Sequence, residues 1–564
     1  LEYSVPLQHP TQNDESIITQ YEMHAIEDLG LLKMDFLGLK NLTIIEDTLN
    51  RIYAIHKKNI DIEKIPLDDK KTYKLLQRGE TKGVFQLESS GMQRYLKQLK
   101  PTEFEDIIVM VALYRPGPMQ FIPEYIGRKE KKRKIEYLHP KLKPILEKTQ
   151  GICIFQEQLM KIAQELAGFS LSEADVLRKA VGKKIKKLLL KQKEKFIKGG
   201  IKNNINEKAM EKLWEWVLPF ASYGFNRAHS TGYATISYQT AYLKSTFPLE
   251  FMSSLLTSEK NDTEGVALLI EECKKMGIEV LPPDINESFR NFTVVPGQNK
   301  IRFGLLAIKN IGSDLIDAIV EERKNNNKFK SIEDFINRMM EINLNKKFLE
   351  SSIKAGIFDQ MEERNMLLTN VEKILEWSRE NQKAKMNGQI GLFENTKIDS
   401  SLHLSPAPRA SKSEMLDWEK ELLGLYISGH PLDIYKKFLE REAVSISDIK
   451  KEKLPDKEQG NPYNNWNPYN NNGFGQNQSW KKIVRVGGII SQIKRIITKN
   501  GKPMLFLKIE DLTDRIEVVV FPSITEANSL IFKEGNIIFI SGKIDNRDGT
   551  KKIIAQEAEK IIEK

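Results

Sequence analysis

The hydrophobic pattern of this chain changes period along its length, and that change limits the folds open to it. From about Pro66 to Asp284 the apolar residues recur at helical spacing. Residues that favour helix starts, such as Ser170, punctuate this stretch. Beyond residue 480 the apolar and polar residues alternate in short runs, as in β-strands. The chain is therefore expected to hold a large helical domain and a separate β domain.

The order of elements in the β domain is informative. One helical piece, Ser523 to Phe532, falls between the third and fourth of five strand-like runs. This order predicts an oligonucleotide-binding (OB) barrel. The five runs are Ile483 to Ile490, Met504 to Glu510, Ile516 to Phe521, Ile537 to Ile544, and Lys552 to Ala555.

Length and composition narrow the class of protein. At roughly 150 residues a domain, 564 residues suggest about three to five domains. No run approaches the roughly 18 consecutive apolar residues that a membrane span needs. The two cysteines, Cys153 and Cys273, exclude a disulfide framework and a cysteine zinc site. We expect a soluble, cytoplasmic protein with no membrane contact.

The charge distribution favours a polyanionic partner. The net charge is +10, and basic residues are concentrated in three runs: Arg128 to Lys134, Arg178 to Lys198, and Lys481 to Lys502. One such run is usually a solvated face, but three within folded segments favour nucleic acid over a membrane.

Two charged residues near the start of the chain lie in an apolar run, Leu31 to Leu37, that reads as a strand. Alternation places Lys33 and Asp35 on the same side of it. Either they form a local salt bridge at a sheet rim, or a charged ligand lies between them, because isolated charges are costly to bury.

A helix-hairpin-helix is expected from Ile301 to Lys324. A helix, a short hairpin and a second helix starting at Ser313 would direct backbone N–H groups toward a DNA phosphate. An ordinary helical corner is the alternative. The candidate DNA-binding residues are Lys309, Asn310, Ile311, Gly312 and Ser313.

Two polar clusters in the helical domain suggest a nucleotide site. Arg178 and Lys179, with Lys183 and Lys184 beyond Gly182, could grip phosphates, although a basic helix end is the simpler reading. The second cluster would suit a flat base above a triphosphate. It comprises Tyr223, Asn226, Arg227, His229, Ser230 and Tyr233.

Two stretches depart from regular structure. The sequence pattern typical of regular secondary structure weakens between Lys383 and Ser413. This stretch contains the phrase GQIGLFEN. The Asn-, Gly- and Pro-rich run from Lys457 to Trp480 has no periodicity and reads as a flexible linker, although its aromatics could stack on single-stranded bases.

Several phrases in this chain resemble those of one family, in the same order. The phrases are KMDFLGLKNLTII, GVFQLESSGM, LYRPGPM, GICIFQEQLM, LRKAVGKK, SYGFNRAHSTGYA, VLPPDINES and GLYISGHPLD. The family that they resemble is the catalytic alpha subunit of bacterial DNA polymerase III, and the resemblance covers nearly the whole chain outside the Asn-rich linker.

The resemblance implies a multidomain α+β fold in five parts. These are the remainder of a nucleotidyltransferase-type palm (1–60), mostly helical fingers (61–284), a clamp-binding region with the helix-hairpin-helix and a clamp-docking loop (285–440), a flexible linker (441–480) and the all-β OB barrel (481–564).

The resemblance also implies site roles. Asp35 matches one of three palm aspartates that hold two Mg²⁺ ions, and Lys33 matches a lysine beside the incoming dNTP. Arg178 and Lys179 match a basic pair that is commonly two arginines, so Lys179 departs from the pattern. Tyr223, Asn226 and His229 match the region facing the nucleotide. Gln389, Ile390, Gly391, Leu392 and Phe393 match a pentapeptide that docks on the sliding clamp.

The same resemblance implies that this chain is a carboxy-terminal fragment unable to polymerise alone. The family's other two palm aspartates lie upstream of the position matching Leu1. The intact protein would act on primer-template DNA, with the clamp loader's tau subunit and a proofreading subunit as partners. The alternative is a non-catalytic module that binds DNA and the clamp.

Overall fold

The computed structural model divides the chain into two compact units. The first comprises residues 1–261, 268–279 and 294–301, and the second comprises residues 262–267, 280–293 and 302–564. The structure describes residues 3–32, 34, 37–182, 186–220, 224–339, 342, 344–386, 402–451, 483–498, 501–527, 530–546 and 551–561.

The first unit is mainly helical, in agreement with the periodicity of the sequence. Two short strands, β1 (Leu7–Gln8) and β2 (Ile18–Thr19), pair antiparallel near its start. Its helices, the last of which begins in the second unit, are α1 (Met23–Asp28), α2 (Lys40–His56), α3 (Lys70–Arg78), α4 (Ser90–Leu99), α5 (Phe104–Leu113), α6 (Ile122–Lys129), α7 (Lys143–Leu146), α8 (Gln156–Ala167), α9 (Leu171–Gly182), α10 (Lys186–Lys202), α11 (Glu207–Phe220), α12 (Arg227–Thr246), α13 (Pro248–Ser258) and α14 (Thr263–Lys275).

Helices α5 and α12 form the centre of one core in this unit. Seven of the ten residues of α5 are buried, and Ala234, Tyr238 and Ala241 of α12 pack into the same cluster. Asp106 is buried at the first turn of α5, where its carboxylate accepts from the backbone N–H of Thr102 (2.8 Å) and pairs with the Lys129 ammonium. A second core joins α8, α9, α10 and α11.

The strand expected from Leu31 to Leu37 is not formed by the residues described there. Leu32, Met34 and Leu37 lie in irregular backbone with 82%, 65% and 70% of their surface exposed. A strand is stabilised by hydrogen bonds to a neighbouring strand. The described part of the chain places no strand beside this segment, so the alternating pattern alone does not produce a strand.

Three short strands lie where the chain passes between the units: β3 (Glu279–Leu281), β4 (Thr293–Val294) and β5 (Lys300–Arg302). The second unit continues with α15 (Ser313–Asn326), α16 (Ile332–Arg338), α17 (Lys346–Lys354), α18 (Arg364–Thr369), α19 (Val371–Met386), α20 (Lys412–Leu423), α21 (Lys436–Glu442), α22 (Ile446–Lys451), β6 (Ile483–Ile497), β7 (Pro503–Glu510), β8 (Arg515–Val520), α23 (Pro522–Ala527), β9 (Ile537–Asp545) and β10 (Lys552–Lys560).

The helix-hairpin-helix differs from expectation in its first half. The second helix, α15, begins at Ser313 as predicted, but the expected first helix is replaced by strand β5 and a single 3-10 turn, Leu305–Ala307. The apolar residues of this stretch satisfy a strand and a turn as well as a helix, because Ile301, Phe303 and Leu305 alternate into the core.

Strands β6 to β10 close into the predicted barrel, in the order β10-β8-β7-β6-β9. Strands β8 and β10 run parallel, and the other pairs run antiparallel. Strand β6 extends seven residues beyond the predicted end at Ile490, because its second half pairs with β7 after a bulge.

Residues 441–451, expected to begin the linker, are instead part of the barrel's structure. Ile446 and Ile449 of α22 are fully buried among the barrel's inward-facing residues. The backbone N–H of Ile446 donates to the Asp511 carboxylate at 2.7 Å. The Lys551 ammonium donates to the carbonyl of Ile449 at 2.8 Å.

Within the described ranges, every helix is too short or too polar to cross a membrane.

We predict that Ile446→Ala or Ile449→Ala destabilises the barrel by about 2–5 kcal/mol, the usual cost of an Ile-to-Ala cavity. Hydrogen exchange followed by mass spectrometry should show faster exchange throughout β6 to β10. Ile434→Ala is the matched control, because Ile434 is 69% exposed. Equal exchange in all three variants would show that α22 does not complete the barrel core.

Candidate functional site

Part of the predicted site lies in the described structure. Arg178, Lys179, Asn226, His229 and the hairpin residues 309–313 are placed. Lys33, Asp35, Tyr223 and the pentapeptide 389–393 lie outside the described residues.

A short backbone pairing fixes the start of α12. The Phe225 N–H donates to the Ile154 carbonyl at 3.1 Å, and the Gln156 N–H donates to the Phe225 carbonyl at 2.8 Å. These two bonds form a parallel bridge between Phe155 and Phe225. The first turns of α8 and α12 are thereby held side by side.

The basic pair on α9 shares one carboxylate. The Nε of Arg178 donates to Oδ1 of Asp175 at 2.8 Å, and Nζ of Lys179 lies 2.9 Å from Oδ2. The pKa of Asp175 is lowered by its hydrogen bonds to Lys179 and Arg178. The shared carboxylate keeps the two cations next to each other, and both remain partly exposed to solvent.

Gln156 connects this basic pair to α12. Its Oε1 accepts from Nη1 of Arg178 at 3.3 Å, and its Nε2 donates to the Gly224 carbonyl at 3.4 Å. The end of α9 and the beginning of α12, which are separated in the sequence by helices α10 and α11, are therefore brought together.

Asn226 and Arg227 have structural partners. Asn226 is the N-cap of α12: its Oδ1 accepts from the His229 N–H at 2.8 Å, and its Nδ2 donates to Glu157 at 3.0 Å. Arg227 makes two hydrogen bonds of 2.7 Å to the Glu105 carboxylate, which raises the pKa of the guanidinium. These contacts stabilise the first turn of α12, in which the His229 ring is exposed.

Aromatic rings and one guanidinium form a stack beside this turn. The Arg115 guanidinium lies 3.9 Å from the ring centre of Phe225. The His229 ring is 5.4 Å from Phe225 and 4.4 Å from Tyr233, and Tyr233 is 5.3 Å from Phe85. Sequence reasoning missed Phe225 and Phe85 as members of this group. The spacing of residues 225, 229 and 233, one helical turn apart, could have revealed the helical part of the stack.

Lys244 holds the loop that carries Phe85. Its buried ammonium donates to the carbonyls of Glu80 and Lys82, each at 2.8 Å, and to the Glu272 carboxylate at 2.6 Å. Burial lowers the pKa of Lys244 although Glu272 opposes that shift. The loop over residues 80–88 is therefore anchored from the C-terminal half of α12.

The described residues provide no set of ligands for a metal. Among them, no three His, Cys, Asp or Glu side chains are grouped closely enough to hold an ion. Asp35, the expected ligand, is outside these residues, so the metal assignment has no structural support here.

The hairpin before α15 is a second candidate site. Asn310 has a φ of +68°, which asparagine tolerates, and its Nδ2 donates to the Ser351 hydroxyl at 3.2 Å. Gly312 is the N-cap of α15 and contributes no side-chain cap, and a Cβ placed there would meet open space. Lys309 is exposed beside it. This geometry allows close approach of a phosphate to the N-terminus of α15.

The basic runs differ in how many of their charges are paired. In the first run, most cations pair with acidic side chains of the same unit, which makes that surface less suitable for a polyanion than the sequence suggested. The pairs are Arg128 with Glu124, Lys129 with Asp106, Lys132 with Glu130, and Lys134 with Glu136.

The third run, by contrast, presents a basic and apolar surface on the barrel. Lys494 and Arg495 of β6 are exposed, and Lys494 lies directly across from Phe506 of β7. Lys508 of β7 is exposed on the same face as Phe506, whereas Arg495 and Ile497 lie on the other face of the two strands. Cations next to apolar side chains are typical of surfaces that bind single-stranded nucleic acid.

We predict that Lys244→Met loosens the loop over residues 80–88 by about 3 kcal/mol, because it leaves the partly buried Glu272 carboxylate unpaired. Hydrogen exchange over that loop measures the effect. Lys202→Met on the exposed surface of α10 is the control and should change nothing. Unchanged exchange in the Lys244 variant would contradict the anchoring role.

Family models match four stretches of the chain. Residues 1–38 match the bacterial DNA polymerase III alpha NTPase domain, and residues 41–204 match the finger domain of the same subunit. Residues 277–367 match a helix-hairpin-helix motif, and residues 484–561 match an OB-fold nucleic acid binding domain.

The relatives that are similar to this chain share the name DNA polymerase III subunit alpha. The DNA polymerase III subunit alpha of Saccharopolyspora erythraea is 39% identical over 97% of this chain and 45% of its own length. Those of Borreliella burgdorferi and Aquifex aeolicus are each 41% identical, over 94% and 96% of this chain and 45% and 43% of their own lengths. This chain spans a little under half of these relatives, and it belongs to the family of bacterial DNA polymerase III alpha subunits.

Proposed function

We propose that this chain is part of a replicative DNA polymerase that transfers a nucleotidyl group from a dNTP to a primer 3′-hydroxyl under the direction of a template. The observation that carries the proposal is the meeting of the α9 basic pair with the aromatic stack of α12 through Gln156. Cations for phosphates and rings for a base are thereby combined in one place.

The α9 cations and the α12 rings would bind different parts of the nucleotide. Arg178 and Lys179 would bind the phosphate tail, where fixed positive charge stabilises the charge that develops during phosphoryl transfer. His229 would lie against the base or sugar, together with Tyr223. Lys33 would lie beside the phosphates. Because phosphoryl transfer depends mainly on positioning and electrostatics, the proposal needs no covalent intermediate with the protein.

Divalent metal ions belong to the chemistry of this family, and we propose that they are two Mg²⁺ ions. Asp35 would be one ligand. Since the described residues offer no further ligand set, no step of the proposal is assigned to the metal.

The second unit would hold the primer-template DNA. The N-terminus of α15 and Lys309 suit a backbone phosphate, with Asn310, Ile311, Gly312 and Ser313 shaping the turn. The exposed β6–β7 surface of the barrel suits a single strand. Neither contact requires reading of the base sequence.

Other partners follow from the family resemblance. We propose that Gln389, Ile390, Gly391, Leu392 and Phe393 dock on the sliding clamp. The clamp loader's tau subunit and a proofreading subunit would join the intact protein, which would act in the cytoplasm.

Primer extension tests the proposal. The chain alone, with primed template, dNTPs and Mg²⁺, should give no extension. A chimaera that joins it to the upstream half of the Borreliella burgdorferi relative should extend the primer. In the chimaera, Arg178→Ala should lower the extension rate about 100-fold, the scale of losing one preorganised charge contact.

Lys208→Ala, an exposed change on α11, is the control for the chimaera. Robust extension by the chain alone would contradict its dependence on upstream residues. An unaffected Arg178→Ala chimaera would contradict the nucleotide site.

A non-catalytic module that binds DNA and the clamp is the second candidate. It is favoured by one observation: the second unit alone offers both the N-terminus of α15 and the exposed β6–β7 strands as surfaces for nucleic acid.

We predict that a sliding clamp retains this chain in a pull-down and that Leu392→Ala with Phe393→Ala abolishes the retention, because the two apolar side chains would fill the clamp's pocket. Ile398→Ala, outside the pentapeptide, is the matched control. Equal retention of all variants would remove the docking role.

A further inference from the structure

We infer that Gln156 is a positioning residue that directs the Arg178 guanidinium toward the phosphate tail of the nucleotide. The inference rests on the proposed nucleotide site and adds to it a residue that touches neither the phosphates nor the base. Gln156 would act on the phosphates only through Arg178.

The hydrogen bonds of Arg178 leave one edge of the guanidinium for a ligand. Nε is taken by Asp175 at 2.8 Å, and one hydrogen of Nη1 is taken by Gln156 at 3.3 Å. A guanidinium has five N–H donors in a fixed fork. Nη2 and the second hydrogen of Nη1 are therefore left to donate to a phosphate.

The Gln156 side chain is itself held in one orientation. Its Nε2 donates to the Gly224 carbonyl at 3.4 Å, which directs Oε1 toward Arg178. Its backbone N–H is bonded to Phe225 at 2.8 Å. The acceptor that Arg178 meets is thus fixed to the segment that begins α12.

The Gln156 side chain is a neutral amide, so it adds no negative charge to the site. Asp175 already carries a negative charge that Lys179 and Arg178 share. A second carboxylate at residue 156 would bind Arg178 more strongly but would repel the phosphates. An amide oxygen orients the guanidinium without opposing an anionic ligand.

A double-mutant cycle tests this role with inorganic tripolyphosphate, which has phosphates but no base, titrated calorimetrically into the chain. Gln156→Met should weaken binding about tenfold, the loss expected for one hydrogen bond to a charged group. In an Arg178→Ala background, where Lys179 still binds the anion, Gln156→Met should have no further effect. Gln164→Met, on the same helix, is the matched control.

The outcomes separate this inference from the proposed function. If Arg178→Ala leaves tripolyphosphate affinity unchanged, both the nucleotide site and the role of Gln156 are wrong. If Arg178→Ala weakens binding but Gln156→Met does not, or if Gln156→Met costs the same in both backgrounds, only the role of Gln156 is wrong. Should Gln156→Met unfold in thermal melting, Gln156→Glu replaces it. That variant should weaken binding more at low salt than at high salt, and a salt-independent loss would overturn the inference.

Discussion

The backbone pairing between residues 154–156 and residues 224–225 is the constraint on which the candidate nucleotide site depends. It sets the position of α12 relative to α8, and α8 in turn carries Gln156 to Arg178. Further along α12, the Ser230 hydroxyl donates to the Ile108 carbonyl at 2.6 Å within the α5 core. A site supported in this way keeps its geometry before any ligand arrives, which is what positioning chemistry requires.

Much of the fold could be predicted from sequence where local patterns and chain order agree. The barrel strands alternate between buried and exposed residues, and Asn310 with Gly312 marks the turn before α15. The phrases around Arg178 and His229 predicted two parts of the candidate site. Their proximity could not be predicted, because it depends on Gln156 and on contacts between segments that are distant in the sequence.

Two predictions, a strand near Leu31 and a linker that begins at residue 441, differ from the structure for a common physical reason. The apolar run from Leu31 to Leu37 needs a neighbouring strand, and the described structure provides none. Ile446 and Ile449 appear in a polar stretch beside the linker, yet they fill the end of a barrel whose strands follow later in the chain. In both cases the outcome depends on a partner distant in sequence, and the local pattern does not reveal whether that partner is present.

Photolabelling tests the central claim most directly, because it shows where a nucleotide lies on this chain. After irradiation with 8-azido-dATP, the account predicts a labelled peptide from the start of α12 that contains His229 and Tyr233, and predicts that excess tripolyphosphate removes the label. Labelling confined to other segments, or labelling of α12 that persists with excess tripolyphosphate, would contradict a site that joins the α9 cations to the α12 rings.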